Sequence, residues 1–320
     1  MSILNIQDVN VIYRNNEKSI HAVDSVSLSL EKGHSLGIVG ESGSGKTTLA
    51  MAMLRLLDPA SAKVTGQAIF NGQDILAMDN NAFSKLRWKE ISVVFQKSMN
   101  SLSPIHRIGD QFESVYRVHQ PHAKKEEIQA IVHELFGLVN LGDRVYTAYP
   151  HEMSGGMLQR ISIALSLLFR PALIVLDEAT TALDVVTQGQ ILREIKRLAR
   201  EIEMTRIMIT HDMSVVATVC DQVGVMYAGR MMELGDVREV IKTPAHPYTK
   251  ALVQAYPHLK APKEDLKIIP GSLPDLSQQV PGCIFAPRCS KCQENCLTHR
   301  PSQQQFGSRT VYCHYPEVSV

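Results

Sequence analysis

Residues 40–47 read Gly40-Glu-Ser-Gly-Ser-Gly-Lys-Thr47, which fits G-x-x-x-x-G-K-S/T, the phosphate-binding loop. The flanks fit too. Ser35–Val39 is a short apolar run with the character of a buried strand, and Thr48 to Leu57 reads as a helix. Strand, glycine loop and helix together aim backbone N–H groups and a helix N-terminus at an anion. Gly40, Gly43 and Gly45 let the backbone close around phosphate where a Cβ would obstruct it. In this reading Lys46 reaches the β- and γ-phosphates and the Thr47 hydroxyl ligates Mg2+.

Working outward, residues 3–12 and 23–30 alternate apolar and polar side chains, as half-buried antiparallel strands do. Val64 to Phe70 reads as a strand that ends in a tight Asn71-Gly72 turn. Ile91 to Phe95 is another short strand. From Ile108 to about Leu141 the spacing is helical, and Leu158 to Phe169 is a strongly apolar helix stopped by Pro171. Ala172 to Leu176 is a buried strand that delivers Asp177-Glu178. A helix follows from Thr187 to Ile202, then a strand from Arg206 to Thr210 that ends at His211. Val223 to Met226 and Met231 to Glu233 suggest a hairpin across Ala228-Gly229-Arg230. Alternating strands and helices imply an α/β fold with a largely parallel sheet. Eight of the 15 prolines fall between Pro244 and Pro287, so a boundary is placed near residue 243, with little regular structure beyond it.

Two further stretches carry chemistry. A buried strand that ends in two acids is costly unless a cation or hydrogen bonds compensate. Asp177 then suits a Mg2+ position and Glu178 a general base for an attacking water. Ser154-Gly155-Gly156 opens a helix and makes a second anion-binding N-terminus. Alone, Ser-Gly-Gly is an ordinary helix cap.

Composition narrows the classes. Lys and Arg number 33 against 32 Asp and Glu, a net charge of +1, which is not the basic footprint of a nucleic-acid binder. No apolar run approaches the roughly 20 residues that span a bilayer. The N-terminus lacks a basic region followed by an apolar one, so no signal peptide is expected.

In order along the chain, these motifs resemble the ATP-binding-cassette ATPases over residues 3–243. The resemblance implies a P-loop nucleotide-binding domain with an antiparallel β subdomain and a helical subdomain at about 100–165. Tyr13 matches the aromatic that stacks on adenine. Gly40, Ser42, Gly43, Ser44, Gly45, Lys46, Thr47 and Thr48 match the ATP-binding set, and Gln96 the glutamine that touches Mg2+ and the attacking water. Ser154, Gly155, Gly156 and Gln159 match the signature that meets the ATP of a partner subunit. Asp177 and Glu178 match the Mg2+-organising and catalytic acids, Asp184 the D-loop and His211 the switch histidine. Read alone, Tyr13 is an aromatic on a strand face and His211 a loop residue. The family implies ATP clamped between two chains.

Within the family, the chain looks like the first of two ATPases of oligopeptide, dipeptide and nickel importers. Met153 to Arg160, Ile108 to Gln111, His246-Pro-Tyr-Thr-Lys-Ala-Leu252, Ile269-Pro-Gly271 and Pro281 to Cys289 carry that likeness. Ala179 departs from the usual proline, and Lys97-Ser98 from an acid–proline pair. The implied partners are a second, homologous ATPase, two membrane permeases and an extracytoplasmic solute-binding protein. The implied location is peripheral, on the cytoplasmic face of the inner membrane. A non-transport cassette ATPase of translation or DNA repair is the alternative.

The tail, 244–320, holds five of the six cysteines. Cys283, Cys289, Cys296 and Cys313 match the family's tail positions and Cys292 is extra. Thiolates in a segment with little core suggest a staple. A 4Fe–4S cluster, zinc, and free or oxidised thiols all remain open on ligand softness. His299 and His314 are available as alternative ligands but read as surface histidines.

Overall fold

The computed structural model describes residues 2–15, 18–95, 101–180, 183–255, 269–278 and 280–318. The chain forms two compact units, one of Met1–Ala77 with Met208–Val320, the other Met78–Ile207.

The first unit opens with long strands β1 (Ser2–Asn15) and β2 (Lys18–Glu31), followed by β3 (Ser35–Val39), α1 (Lys46–Met53), β4 (Ala62–Phe70) and β5 (Gln73–Asp74). β2, β1, β4 and β5 make an antiparallel sheet in that order. One face is buried by Val9, Val11, Val23 and Val26, in keeping with the alternation. Asn71 and Gly72 both have positive φ, +47 and +79. That is the geometry of a two-residue hairpin turn, and it sets Phe70 opposite Gln73.

β3 is buried throughout because strands flank it and helices cover it. It pairs in parallel with β9 (Gln222–Tyr227), Ile38 opposite Gly224. β9 turns at Ala228-Gly229 into antiparallel β10 (Arg230–Asp236), the expected hairpin. The tail was expected to be irregular, yet β11 (Gln304–Phe306) and β12 (Arg309–Val311) extend this sheet, β12 against β10. Three residues are too few for a period to register. The tail also carries α9 (Pro247–Ala255) and the single-turn α10 (Glu294–Thr298).

The second unit holds α2 (Asn80–Leu86), β6 (Ile91–Val94), α3 (Ile108–His119), α4 (Lys125–Leu138), α5 (Gly155–Ser166), β7 (Leu173–Asp177) and α6 (Val185–Glu201). β6 and β7 pair in parallel, Val94 opposite Leu176. The helical stretch expected from Ile108 to Leu141 is two helices, broken around Pro121, which removes an N–H and disfavours helix at the preceding residue. They pack through Phe112 and Phe136, edge to face at 5.4 Å. Burying each ring contributes about 2–3 kcal/mol. β8 (Thr205–Thr210) carries the chain back into the first unit, where α7 (Met213–Val219) and α8 (Val237–Lys242) lie.

Candidate nucleotide site

In the first unit the phosphate loop leaves β3 and ends at α1, as its flanks predict. Gly45 caps α1 at φ +92. A Cβ there would stand 2.3 Å from the Ala22 carbonyl, so no other residue fits without a shift. Ser42, Gly43 and Thr47 are exposed, Thr48 is half-buried, and Ser44 and Lys46 are buried. The Lys46 ammonium donates to the Gly40 carbonyl at 2.9 Å, the Glu41 carbonyl at 2.8 Å and Ser44 Oγ at 3.2 Å. It lies folded into its own loop, bonded to two of the loop's carbonyls and a hydroxyl. Tyr13 stands on β1 between Ile20 of β2 and Ala62 of β4. His211 is exposed just past β8, where Asp212 caps α7 through the Ser214 N–H at 2.8 Å.

In the second unit β7 delivers Asp177, 2% exposed, at its carboxyl end. Glu178 follows, half-buried with φ +47, a left-handed conformation that non-glycine residues rarely adopt. Ser154 is the N-cap of α5, its Oγ accepting from the Met157 N–H at 3.3 Å. Ser154 and Gly155 are exposed, whereas Gln159 of the same signature is buried, at 2% exposure. Asp184 caps α6, accepting from the Val186 and Thr187 N–H groups at 3.1 and 3.0 Å. Its hydrogen bonds with Thr187 hold the carboxyl below the usual range. Gln96 lies outside the described residues, as does Ala182 of the D-loop.

Sequence reasoning left three residues without a role. Arg288, Tyr248 and Glu41 meet at the outer side of the phosphate loop: Arg288 pairs with the Glu41 carboxylate and the Tyr248 hydroxyl accepts from the Glu41 N–H. Tyr248 and Arg288 stand in the tail segments 246–252 and 281–289, but nothing local signals a partner some two hundred residues away.

All six cysteines are free thiols. Cys283, Cys289, Cys296 and Cys313 line one small cavity together with His246 and His314, and Cys292 is not part of the lining. Among the described residues, however, no group of three or more His, Cys, Asp or Glu is arranged to hold a metal ion. The expected tail metal thus finds no ready ligand group. Burial pushes the Cys283 and Cys289 thiols up and Cys313 to about 11. A metal takes such thiols as thiolates and displaces their protons.

No helix among the described residues is long and apolar enough to cross a membrane. The ABC transporter family matches residues 23–181, and the oligopeptide/dipeptide transporter C-terminal region matches residues 232–296. The oligopeptide transport ATP-binding protein OppD of Escherichia coli is 42% identical over 317 residues, 98% of this chain and 94% of that protein. OppD of Haemophilus influenzae is 42% identical over 296 residues, covering 92% and 91%. Among solved structures, the ATP-binding cassette MJ0796, a dimer in a post-hydrolysis state bound to ADP and Pi, aligns with a TM-score of 0.65. Its identity is 27%, covering 73% of this chain and 99% of that one. With its phosphate loop, strand-end acids and capped Ser-Gly-Gly helix in place, the chain belongs to the ABC transporter ATPases, in the branch that carries the oligopeptide/dipeptide transporter C-terminal region.

Proposed function

We propose that this chain is the ATP-hydrolysing subunit of a peptide importer. The observation that carries this reading is the likeness to OppD over 98% of the chain, tail included, which a non-transport cassette ATPase would not require. In this reading residues 1–243 form the ATPase domain and 244–320 the importer-type extension. The phosphate loop and Lys46 hold the triphosphate, and Tyr13 stacks on adenine. Thr47, Asp177 and Gln96 hold Mg2+, which neutralises charge on the phosphates when bound. The buried Asp177 carboxylate fits that duty. Glu178 takes the proton of the attacking water, and His211 contacts the γ-phosphate. Ser154, Gly155 and Gly156 serve the ATP of the neighbouring subunit, the buried Gln159 of the same signature backing that turn from within, and Asp184 lies at the same seam. That neighbour is a second, homologous ATPase. Two permeases and an extracytoplasmic binding protein complete the assembly, which this chain joins peripherally from the cytoplasmic side.

In the tail, Cys283, Cys289, Cys296 and Cys313 would hold a 4Fe–4S cluster once drawn together as thiolates, an arrangement that the four thiols do not have on their own. Their convergence on one cavity without Cys292 supports this, as does the softness of an all-thiol donor set. Such a group ties distant segments together where apolar burial is sparse. Anaerobically purified protein is expected to contain iron and acid-labile sulfide; zinc, or thiols with no metal, would refute the assignment.

The importer reading is tested by peptide uptake in cells whose only copy of the chain carries Lys46→Ala. Uptake is expected to stop. Undiminished uptake would refute the reading.

A further inference from the structure

Glu41 ties the phosphate loop to the tail by hydrogen bonds, and all three of its polar groups are engaged. Its N–H donates to the Tyr248 hydroxyl at 3.1 Å. Its carboxylate accepts from Arg288 Nη1, at 3.1 Å on Oε1 and 3.0 Å on Oε2. Its carbonyl accepts from the Lys46 ammonium at 2.8 Å. One residue thus joins the tail to the lysine of the loop.

The tail side of this junction is buried and densely hydrogen-bonded. The Arg288 side chain is 5% exposed, and its guanidinium spends every nitrogen. Nε donates to the Pro270 carbonyl at 2.7 Å, Nη2 to the Ile269 carbonyl at 3.3 Å, and Nη1 also reaches the Tyr227 hydroxyl at 3.2 Å. The Tyr248 ring is fully buried, 4.8 Å from Tyr227 and 5.2 Å from Phe285 between centroids. Leu273, in the segment that Arg288 pins, stands 3.2 Å from where a Gly43 Cβ would be. Tail residues therefore back the loop at two of its positions, Glu41 and Gly43.

Two physical effects follow. To grip phosphate, Lys46 must release one of the three loop acceptors that engage its ammonium, and a loop anchored by the tail keeps its shape when it does. Preorganisation of this kind improves binding by removing an ordering cost. Second, Glu41 is an anion on a loop that receives a polyanion. A charge-paired arginine offsets that repulsion at close range.

We propose that Arg288 and Tyr248 are positioning residues for ATP: through Glu41 they hold the phosphate loop receptive and neutralise its one carboxylate, so the C-terminal extension sets nucleotide affinity. The proposal rests on ATP binding by residues 40–47. It is tested by calorimetric titration of MgATP into the full-length protein, with thermal melting recorded on each variant. Arg288→Ala is expected to weaken binding about 10-fold. Adding Glu41→Gln to it should recover most of that loss while leaving the melting temperature of Arg288→Ala unchanged, an outcome that a merely structural role would not give. Tyr248→Phe, which keeps the ring packing, is expected to weaken binding about 3-fold, and it keeps the test decisive if Arg288→Ala does not fold. Unaltered affinity in Tyr248→Phe and in folded Arg288→Ala overturns the proposal, as does a loss in Arg288→Ala that Glu41→Gln leaves untouched. Lys46→Ala separates the two readings. If wild type and Lys46→Ala bind ATP alike, the loop assignment fails. If Lys46→Ala alone loses binding, the loop stands and the tail's role fails.

Discussion

Glu178 has φ +47, and a non-glycine residue held there costs about 1–3 kcal/mol. Such strain persists where the surroundings over-determine it. Here it comes directly after a fully buried strand, so the side chain is aimed by the backbone. Gly45 is the complementary case, since its positive φ suits its residue type. Gly45→Ala is expected to lose about 1–3 kcal/mol of stability in urea titration, because the new methyl meets the Ala22 carbonyl. A variant as stable as wild type would show that the loop relaxes at no cost. Residues of this kind were legible beforehand because phosphate binding demands particular residue types at particular spacing. The Glu41–Arg288 pair was not, since 247 positions separate the two and neither residue is unusual locally.

Helix ends carry much of the chemistry at the next scale. Ser154, Asp184 and Asp212 each cap a helix through a side-chain hydrogen bond. Ser154 is therefore a stability element whatever else it does. Ser154→Ala is expected to lose about 1 kcal/mol, and Ser154→Asn, another good cap, close to none, both read from the urea midpoint. If Ser154→Asn is as stable as wild type and ATP turnover of the assembled complex still falls, the hydroxyl has a duty beyond capping; unchanged turnover would deny it one. Elements with long periods were foreseeable: the alternating β1 and β2, the buried β3 and β7, and the Asn71-Gly72 turn. The short ones were not. β11 and β12 are three residues each, and α2 is announced only by Asp79, whose carboxylate accepts from the Ala82 N–H at 2.8 Å.

Across the whole molecule, the tail belongs to the same compact unit as the phosphate loop. The residues that match the oligopeptide/dipeptide transporter region, 232–296, include both side chains that grip Glu41. Composition marked this region by its prolines and cysteines, yet gave no hint that it adds strands to the sheet or reaches the loop. Such contacts arise from topology, which no local pattern encodes. The ATPase chemistry can be tested independently of that tail. In the assembled complex, Glu178→Gln is expected to bind MgATP as wild type does and to hydrolyse it at least about 100-fold more slowly. Hydrolysis at the wild-type rate by Glu178→Gln would contradict the account.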